Sequence, residues 1–245
     1  MKRILISQNT PSNLTPYTSI EEKYGVKFDF FPFFKIEPLT SMEFRTQRVN
    51  IADYTAVVFS SRFAIDAYFK LSEELRFKVP ETMKYFCSTE LVAMYLQKHI
   101  VYRKRKIFYG DGSVESILAL ITGKHAGEKF LMTAADSANA KNAIALFKEA
   151  GIDVTAANFV KSVPQDLHGI DLHSYDMVVL YNKADVASIF ASYPDFKQDN
   201  LKIASYGKGV VNAITEAGLS IELQAPTPEA PSVAKALDLY LASHK

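Results

Sequence analysis

The stretch "VVFSSRFAIDAYF" at residues 57–69 returns, with its polar centre changed, as "VVLYNKADVASIF" at residues 178–190. In each, two valines and a large apolar residue run into a polar corner, Ser60-Ser61-Arg62 or Tyr181-Asn182-Lys183. Apolar residues at helical spacing follow. The first part reads as a strand buried on both faces, the second as a helix folding back over it. One strand–corner–helix grammar written twice points to a duplicated α/β unit.

The echo extends along the chain. "KRILIS" (2–7) and "KFLMT" (129–133) are short apolar runs that end on a hydroxyl residue. "KYGVKFDFFPFFKIEP" (23–38) aligns with "EAGIDVTAANFVKSVP" (149–164) at an offset of 126, pairing Gly25 with Gly151, Phe33 with Phe159, Lys35 with Lys161 and Pro38 with Pro164. Each glycine stands where a helix ends and a β-rich run begins. The offset then tightens to 121, with Tyr54 on Tyr175 and Phe69 on Phe190. One indel in "TSMEFRTQRVN" (40–50) absorbs the slip. "MKYFCSTELVAMYLQKHI" (83–100) then parallels "KIASYGKGVVNAITEAGLSI" (202–221) as strand, corner, helix and next strand.

Alternating strands and helices predict an α/β fold of two similar parallel sheets, covered on both faces. Right-handed crossovers gather the strand-end corners at one edge of each sheet, where open α/β sheets bind ligands. Those corners are Ser7-Gln8-Asn9, Ser60-Ser61-Arg62, Ser88-Thr89-Glu90, Thr133-Ala134, Tyr181-Asn182-Lys183 and Gly207-Lys208-Gly209. Two sheets facing one another would set all of them around one cleft.

The totals limit the function. With 245 residues, 48% hydrophobic and 22% charged, the chain is an ordinary globular protein large enough for two small domains. A net charge of +1 supplies no field to draw nucleic acid or an anionic membrane. The single cysteine, Cys87, excludes an internal disulfide and reads as a small buried residue of a protein in a reducing compartment. The N-terminus "MKRILISQNTP" has no signal h-region and no stretch reaches the length of a membrane span, so a cytoplasmic protein is expected.

Familiar chemistry is missing. There is no G-x-G-x-x-G or P-loop, which disfavours a nucleotide-binding α/β protein. The five histidines are scattered without metal spacing, and His168 and His173 lie in a loop composition. "YGDGSVES" (109–116) opens a helix with Ser113 as N-cap, and "YGKG" (206–209) precedes a helix beginning at Val210. "YRKRK" (102–106) reads as a solvated surface, and the five aromatics of "FDFFPFF" (28–34) as packing, since no lysine or arginine is interleaved for base stacking.

Taken together, the duplicated halves, the "PF…K.EP" segment, "VVFSSRFAIDAYF", "YGDGSVESILALI", "AGIDVTAANFVKSVP" and the tail "APTPEAPSVAKAL" resemble the uroporphyrinogen-III synthase family over residues 2–242. The resemblance implies two flavodoxin-like domains joined by a two-stranded linker. Domain one would combine residues 1–34 with 165–245, domain two would hold 39–158, and 33–39 and 158–164 would be the linker strands. It also implies a cofactor-independent, monomeric hydro-lyase that cyclises hydroxymethylbilane to uroporphyrinogen III in the interdomain cleft, losing water and inverting ring D. The partner is then a small molecule, a linear tetrapyrrole polycarboxylate, with no nucleic acid or membrane. The substrate's own hydroxymethyl group leaves to give a reactive azafulvene, so the protein's task is to hold a flexible octacarboxylate in a closing geometry. Carboxylates call for N–H groups, hydroxyls and cations.

Substrate contacts are accordingly expected from Ser60, Ser61, Arg62, Ser88, Thr89, Lys183, Lys208, Gly209 and Thr227. Ser60, Ser88 and Thr227 have an alternative use as helix caps. The chain departs from the family at Phe159, where a tyrosine is usual, and at Val210, where a threonine is often found. No catalytic residue is therefore assigned. Those departures suit an alternative, a non-catalytic two-lobed tetrapyrrole-binding or regulatory module of the same fold.

Overall fold

The structure, a computed structural model, describes residues 2–133 and 138–244, leaving out the side chains of 138, 139 and 208. The chain divides into unit 1, residues 1–35 and 162–245, and unit 2, residues 36–161. It passes from one unit to the other at β3 (Phe34–Pro38) and returns at β9 (Val160–Pro164), and these two strands pair with each other.

Unit 1 is a five-stranded parallel sheet in the order β12-β11-β10-β1-β2: β1 (Arg3–Ile6), β2 (Lys27–Phe30), β10 (Met177–Leu180), β11 (Lys202–Tyr206) and β12 (Leu223–Ala225). The apolar runs Ile4-Leu5-Ile6 and Met177-Val178-Val179-Leu180 are fully buried because both faces are covered. On one face Ile4, Ile6, Met177 and Val179 pack on α1 (Thr15–Tyr24) and α9 (Val233–Ser243). On the other, Leu5, Val178, Leu180 and Ile203 pack on α7 (Lys183–Ser192) and α8 (Lys208–Glu216). The phenylalanine-rich run divides between these faces, Phe28 and Phe30 to the first, Phe31 and Phe33 to the second.

Unit 2 repeats the plan. Its parallel sheet runs β6-β5-β4-β7-β8: β4 (Ala56–Phe59), β5 (Lys84–Cys87), β6 (Ile107–Tyr109), β7 (Phe130–Met132) and β8 (Val154–Ala156). Val57, Phe59, Tyr85 and Cys87 pack on α3 (Arg62–Glu74) and α4 (Glu90–Tyr95). Ala56, Val58, Phe86 and Phe130 pack on α5 (Val114–Ile121) and α6 (Ala138–Glu149). A short α2 (Ser41–Arg45) follows the first crossing, closed by a capping box in which Thr40 and Glu43 bond each other's backbone N–H.

The repeat reaches fine detail. Gly25 (φ 69°) and Gly151 (φ 72°) end the equivalent helices in the left-handed region that glycine enters without strain. A single 3₁₀ turn precedes both Tyr54 and Tyr175, closed by Asn50 on the Ala52 N–H and by Asp171 on the His173 N–H. In each sheet strand order reverses once, between β1 and β10 in unit 1 and between β4 and β7 in unit 2. At such a point the flanking connections leave on opposite faces and open a crevice at the carboxyl ends of the strands.

Candidate functional site: the strand-end edges

In unit 2 the crevice is a real pocket of about 510 Å³. Its rim carries Ser60, Ser88, Thr89, Gly112 and Ser113, and Val58, Ile117, Met132 and Phe147 form an apolar floor. β4 delivers Ser60 and β5 delivers Ser88 one residue beyond their ends, where the Ser88 N–H bonds the Phe59 carbonyl at 2.9 Å. The Ser88 hydroxyl donates to the Ser60 carbonyl at 3.3 Å, and the Gly112 N–H to the Ser88 carbonyl at 2.8 Å. Gly110 admits no side chain, because a Cβ there would stand 2.1 Å from the Ser116 hydroxyl. The rim is thus a closed set of loops that leaves the hydroxyls of Ser60 and Ser88 at the mouth.

Ser113 caps its helix as the sequence suggested, whereas the other caps fall on residues different from Ser60, Ser88 and Thr227. Ser61 caps α3 by accepting the Ala64 N–H, Thr89 caps α4 through Val92 N–H, and Ser113 and Ser232 cap α5 and α9. Ser60, Ser88 and Thr227 therefore have no helix-capping duty. Thr227 instead closes its own turn, its hydroxyl accepting the Ala230 N–H at 3.1 Å. Arg62 is exposed, with its guanidinium 5.9 Å from the centre of the Tyr95 ring. Phe63 and Leu91, 60% and 81% exposed, stand in the first turns of α3 and α4 beside these corners.

In unit 1 the same edge is built differently. Asn182 caps α7 through the Ala184 N–H at 2.7 Å and leaves Lys183 exposed in the first turn. Helix α8 starts at Lys208 rather than at Val210, because Gly207 takes the cap position without a side-chain bond and its N–H bonds the Ala225 carbonyl at 2.7 Å. Gly209 is exposed; the side chain of Lys208 and the corner residue Ala134 lie outside the described part. Lys183, Gly209 and Thr227 follow the adjacent strands β10, β11 and β12, so they share one edge. Beneath them lies Asp185, wholly buried at the third position of α7. Its Oδ2 accepts the Tyr181 N–H at 2.7 Å, the Ser7 hydroxyl at 2.8 Å and the Asn182 N–H at 3.2 Å. Burial pushes its carboxyl above the ordinary carboxylate range, against the pull of those three donors.

The other notable side chains are structural. Cys87 is fully buried and its thiol is pushed up to about 12 by desolvation, which leaves it no thiolate for nucleophilic work. Phe159 is 1% exposed and sits in the unit 2 core, its ring 4.9 Å from Phe44 and 5.7 Å from Tyr68. A groove of about 850 Å³ near His168, His173 and Tyr193 lies at the opposite, amino-terminal edge of the unit 1 sheet. Among the described residues no three His, Cys, Asp or Glu side chains converge as metal ligands would, and no helix is long and apolar enough to cross a membrane.

The family model for uroporphyrinogen-III synthase HemD matches residues 17–235. The chain belongs to the uroporphyrinogen-III synthase family. Its reaction is the cyclisation of hydroxymethylbilane to uroporphyrinogen III with loss of water, a step of porphyrin and haem biosynthesis. Among solved structures, the fold is similar to the uroporphyrinogen-III synthetase of Helicobacter pylori, with a TM-score of 0.55, 17% identity and coverage of 99% of this chain and 100% of that one. A Thermus thermophilus uroporphyrinogen III synthase aligns at 15% identity over 100% of both chains with a TM-score of 0.45. Among curated proteins, none matches the chain. This uroporphyrinogen-III synthase family member thus shares its fold with the Helicobacter pylori protein at 17% identity. Sequence reasoning missed Asp185, whose four-residue spacing from Tyr181 is the only signal of it, and Tyr206, hidden in the "YGKG" corner beside the more conspicuous lysine.

Proposed function

We propose that the carboxyl-terminal strand edges of both units are the substrate-holding surfaces, each taking part of one linear tetrapyrrole. The observation that carries this reading is the unit 2 pocket, with hydroxyls at its rim and an apolar floor. A tetrapyrrole has the matching chemistry: flat apolar rings bearing carboxylate arms. The hydroxyls of Ser60 and Ser88 hold carboxylates, and the positive ends of α3 and α5 favour the negative charge. Thr89 and Ser61 act through the loops they cap. Arg62 adds charge at the rim. On the unit 1 side Lys183, Lys208, Gly209 and Thr227 take the remaining arms.

The residues at these edges can hold the reacting ends together, and that is where the rate comes from. The leaving hydroxyl belongs to the substrate, and the attacking carbon is part of the same molecule. Restricting a flexible chain to the closing geometry replaces an entropy cost that free solution would impose. No side-chain nucleophile is required, which accords with the buried, protonated state of Cys87.

The test is the Ser60→Ala, Ser88→Ala double variant. Hydrogen bonds to charged groups contribute about 1.5–3 kcal/mol each, so kcat/KM is expected to fall at least tenfold while the unfolding midpoint stays put. An unchanged kcat/KM in the folded variant would remove these hydroxyls from the site.

A further inference from the structure

Register allows the two units to be compared position by position. Leu180 lies opposite Ser205 in unit 1, and Phe59 opposite Cys87 in unit 2; Val179 lies opposite Ile6, and Val58 opposite Met132. One step beyond the paired residues, Tyr181 matches Ser60 and Tyr206 matches Ser88. Counting back from the terminal glycines of the equivalent helices, Gly25 and Gly151, Tyr17 matches Ala143. Ser60, Ser88 and Ala143 all line the unit 2 pocket. All three of their counterparts are tyrosines.

These half-buried tyrosines cluster at the equivalent place in unit 1. The rings of Tyr181 and Tyr206 lie 5.4 Å apart, and Tyr17 and Tyr181 are joined through their hydroxyls. All three pack against the core formed by Ile4, Ile6, Val179 and Val233. The Tyr206 hydroxyl donates to the Pro231 carbonyl at 3.0 Å, and Asp185 fastens the Tyr181 backbone from the far face of the sheet. Among the described residues, the same location in unit 2 is an open pocket.

We propose that Tyr17, Tyr181 and Tyr206 form a specificity-determining plug that closes in unit 1 the subsite that unit 2 keeps open for a carboxylate-bearing pyrrole. The proposal rests on the reading of the unit 2 pocket given above. Its logic comes from the substrate. Four nearly identical pyrroles repeat along the linear tetrapyrrole, and a duplicated protein with two equivalent pockets would accept that repeat in shifted and reversed registers. Only one register sets the correct ends together. Blocking one pocket disfavours the wrong registers without strengthening the right one, which is how repulsive elements produce specificity. A tenfold preference needs only about 1.4 kcal/mol, well within the reach of a steric block.

The test uses a monopyrrole bearing one acetate and one propionate arm as probe, titrated into the full chain while backbone amide resonances and binding heat are followed. The wild type is expected to bind one equivalent, with shifts at Ser60 and Ser88. The Tyr181→Ser, Tyr206→Ser variant is expected to bind two, with new shifts at residues 181–185, and to release a larger share of the type I isomer from hydroxymethylbilane. Tyr181→Phe, which keeps the plug, is expected to bind one. If the double variant does not fold, the single Tyr206→Ser variant carries the same expectation of a second equivalent. Absence of wild-type shifts at Ser60 and Ser88 would overturn the reading of the unit 2 pocket. A folded opened variant that still binds one equivalent, and releases no more type I isomer, would overturn the plug alone.

Discussion

Truncating Phe159 separates a core role from a catalytic one. The ring is 1% exposed and touches Phe44 and Tyr68 at centroid distances of 4.9 and 5.7 Å. Removing its buried surface costs about 1.5–3 kcal/mol of transfer free energy. The two ring contacts lie in the range where aromatic pairs add about 0.5–1.5 kcal/mol. A cavity then remains among Phe44, Tyr68 and their neighbours, so the Phe159→Ala loss should reach about 3–5 kcal/mol. At a urea m-value of about 2 kcal/mol per molar, the unit 2 midpoint moves down by roughly 2 M. The assay is urea unfolding followed by near-ultraviolet circular dichroism, with Phe159→Tyr alongside. The tyrosine variant keeps the ring and its contacts with Phe44 and Tyr68, so it should lose less than the alanine variant. It should not turn over faster. A loss below about 1 kcal/mol for Phe159→Ala, or a tenfold gain in kcat for Phe159→Tyr, would refute the placement of this position in the core rather than at the chemistry.

Three further outcomes follow from the same geometry. Asp185 is held above its ordinary value of 3.8, so the native state keeps this proton longer than the unfolded chain; that contribution to stability is full at low pH and is lost as pH rises through the elevated pKa. Asp185→Asn should flatten this part of the pH–stability curve measured by urea midpoints, and parallel curves for the two proteins would contradict it. Cys87 should resist a thiol-alkylating reagent at pH 8 in the folded protein and react at once in urea, and rapid native labelling would show that the β5 end is open. Ser61→Ala and Thr89→Ala should each lower stability by about 1 kcal/mol through lost caps, measured by denaturant midpoint, whereas Ser60→Ala should leave stability unchanged.

The fold was legible because parallel strands buried on both faces write continuous apolar runs, and "KRILIS" and "VVFSS" can hardly be read otherwise. Gly25 and Gly151 were equally plain, since a left-handed residue at a helix end calls for glycine whatever surrounds it. The corners were found, but the work within each was not. Ser60 and Ser61 are adjacent and chemically identical, yet only Ser61 meets the Ala64 N–H, a difference of backbone direction that no composition encodes. Tyr17, Tyr181 and Tyr206 lie in three distant segments and become one cluster only through sheet register. Asp185 illustrates the same limit: on a helix it reads as a solvated first-turn acid, and the sheet buries it against Ser7 from 178 residues away.

The central claim is that this chain closes and inverts a linear tetrapyrrole. Purified protein supplied with freshly generated hydroxymethylbilane, with products oxidised and resolved by chromatography, tests it directly. The account predicts the type III isomer, formed faster than spontaneous closure; accumulation of the type I isomer alone would contradict it.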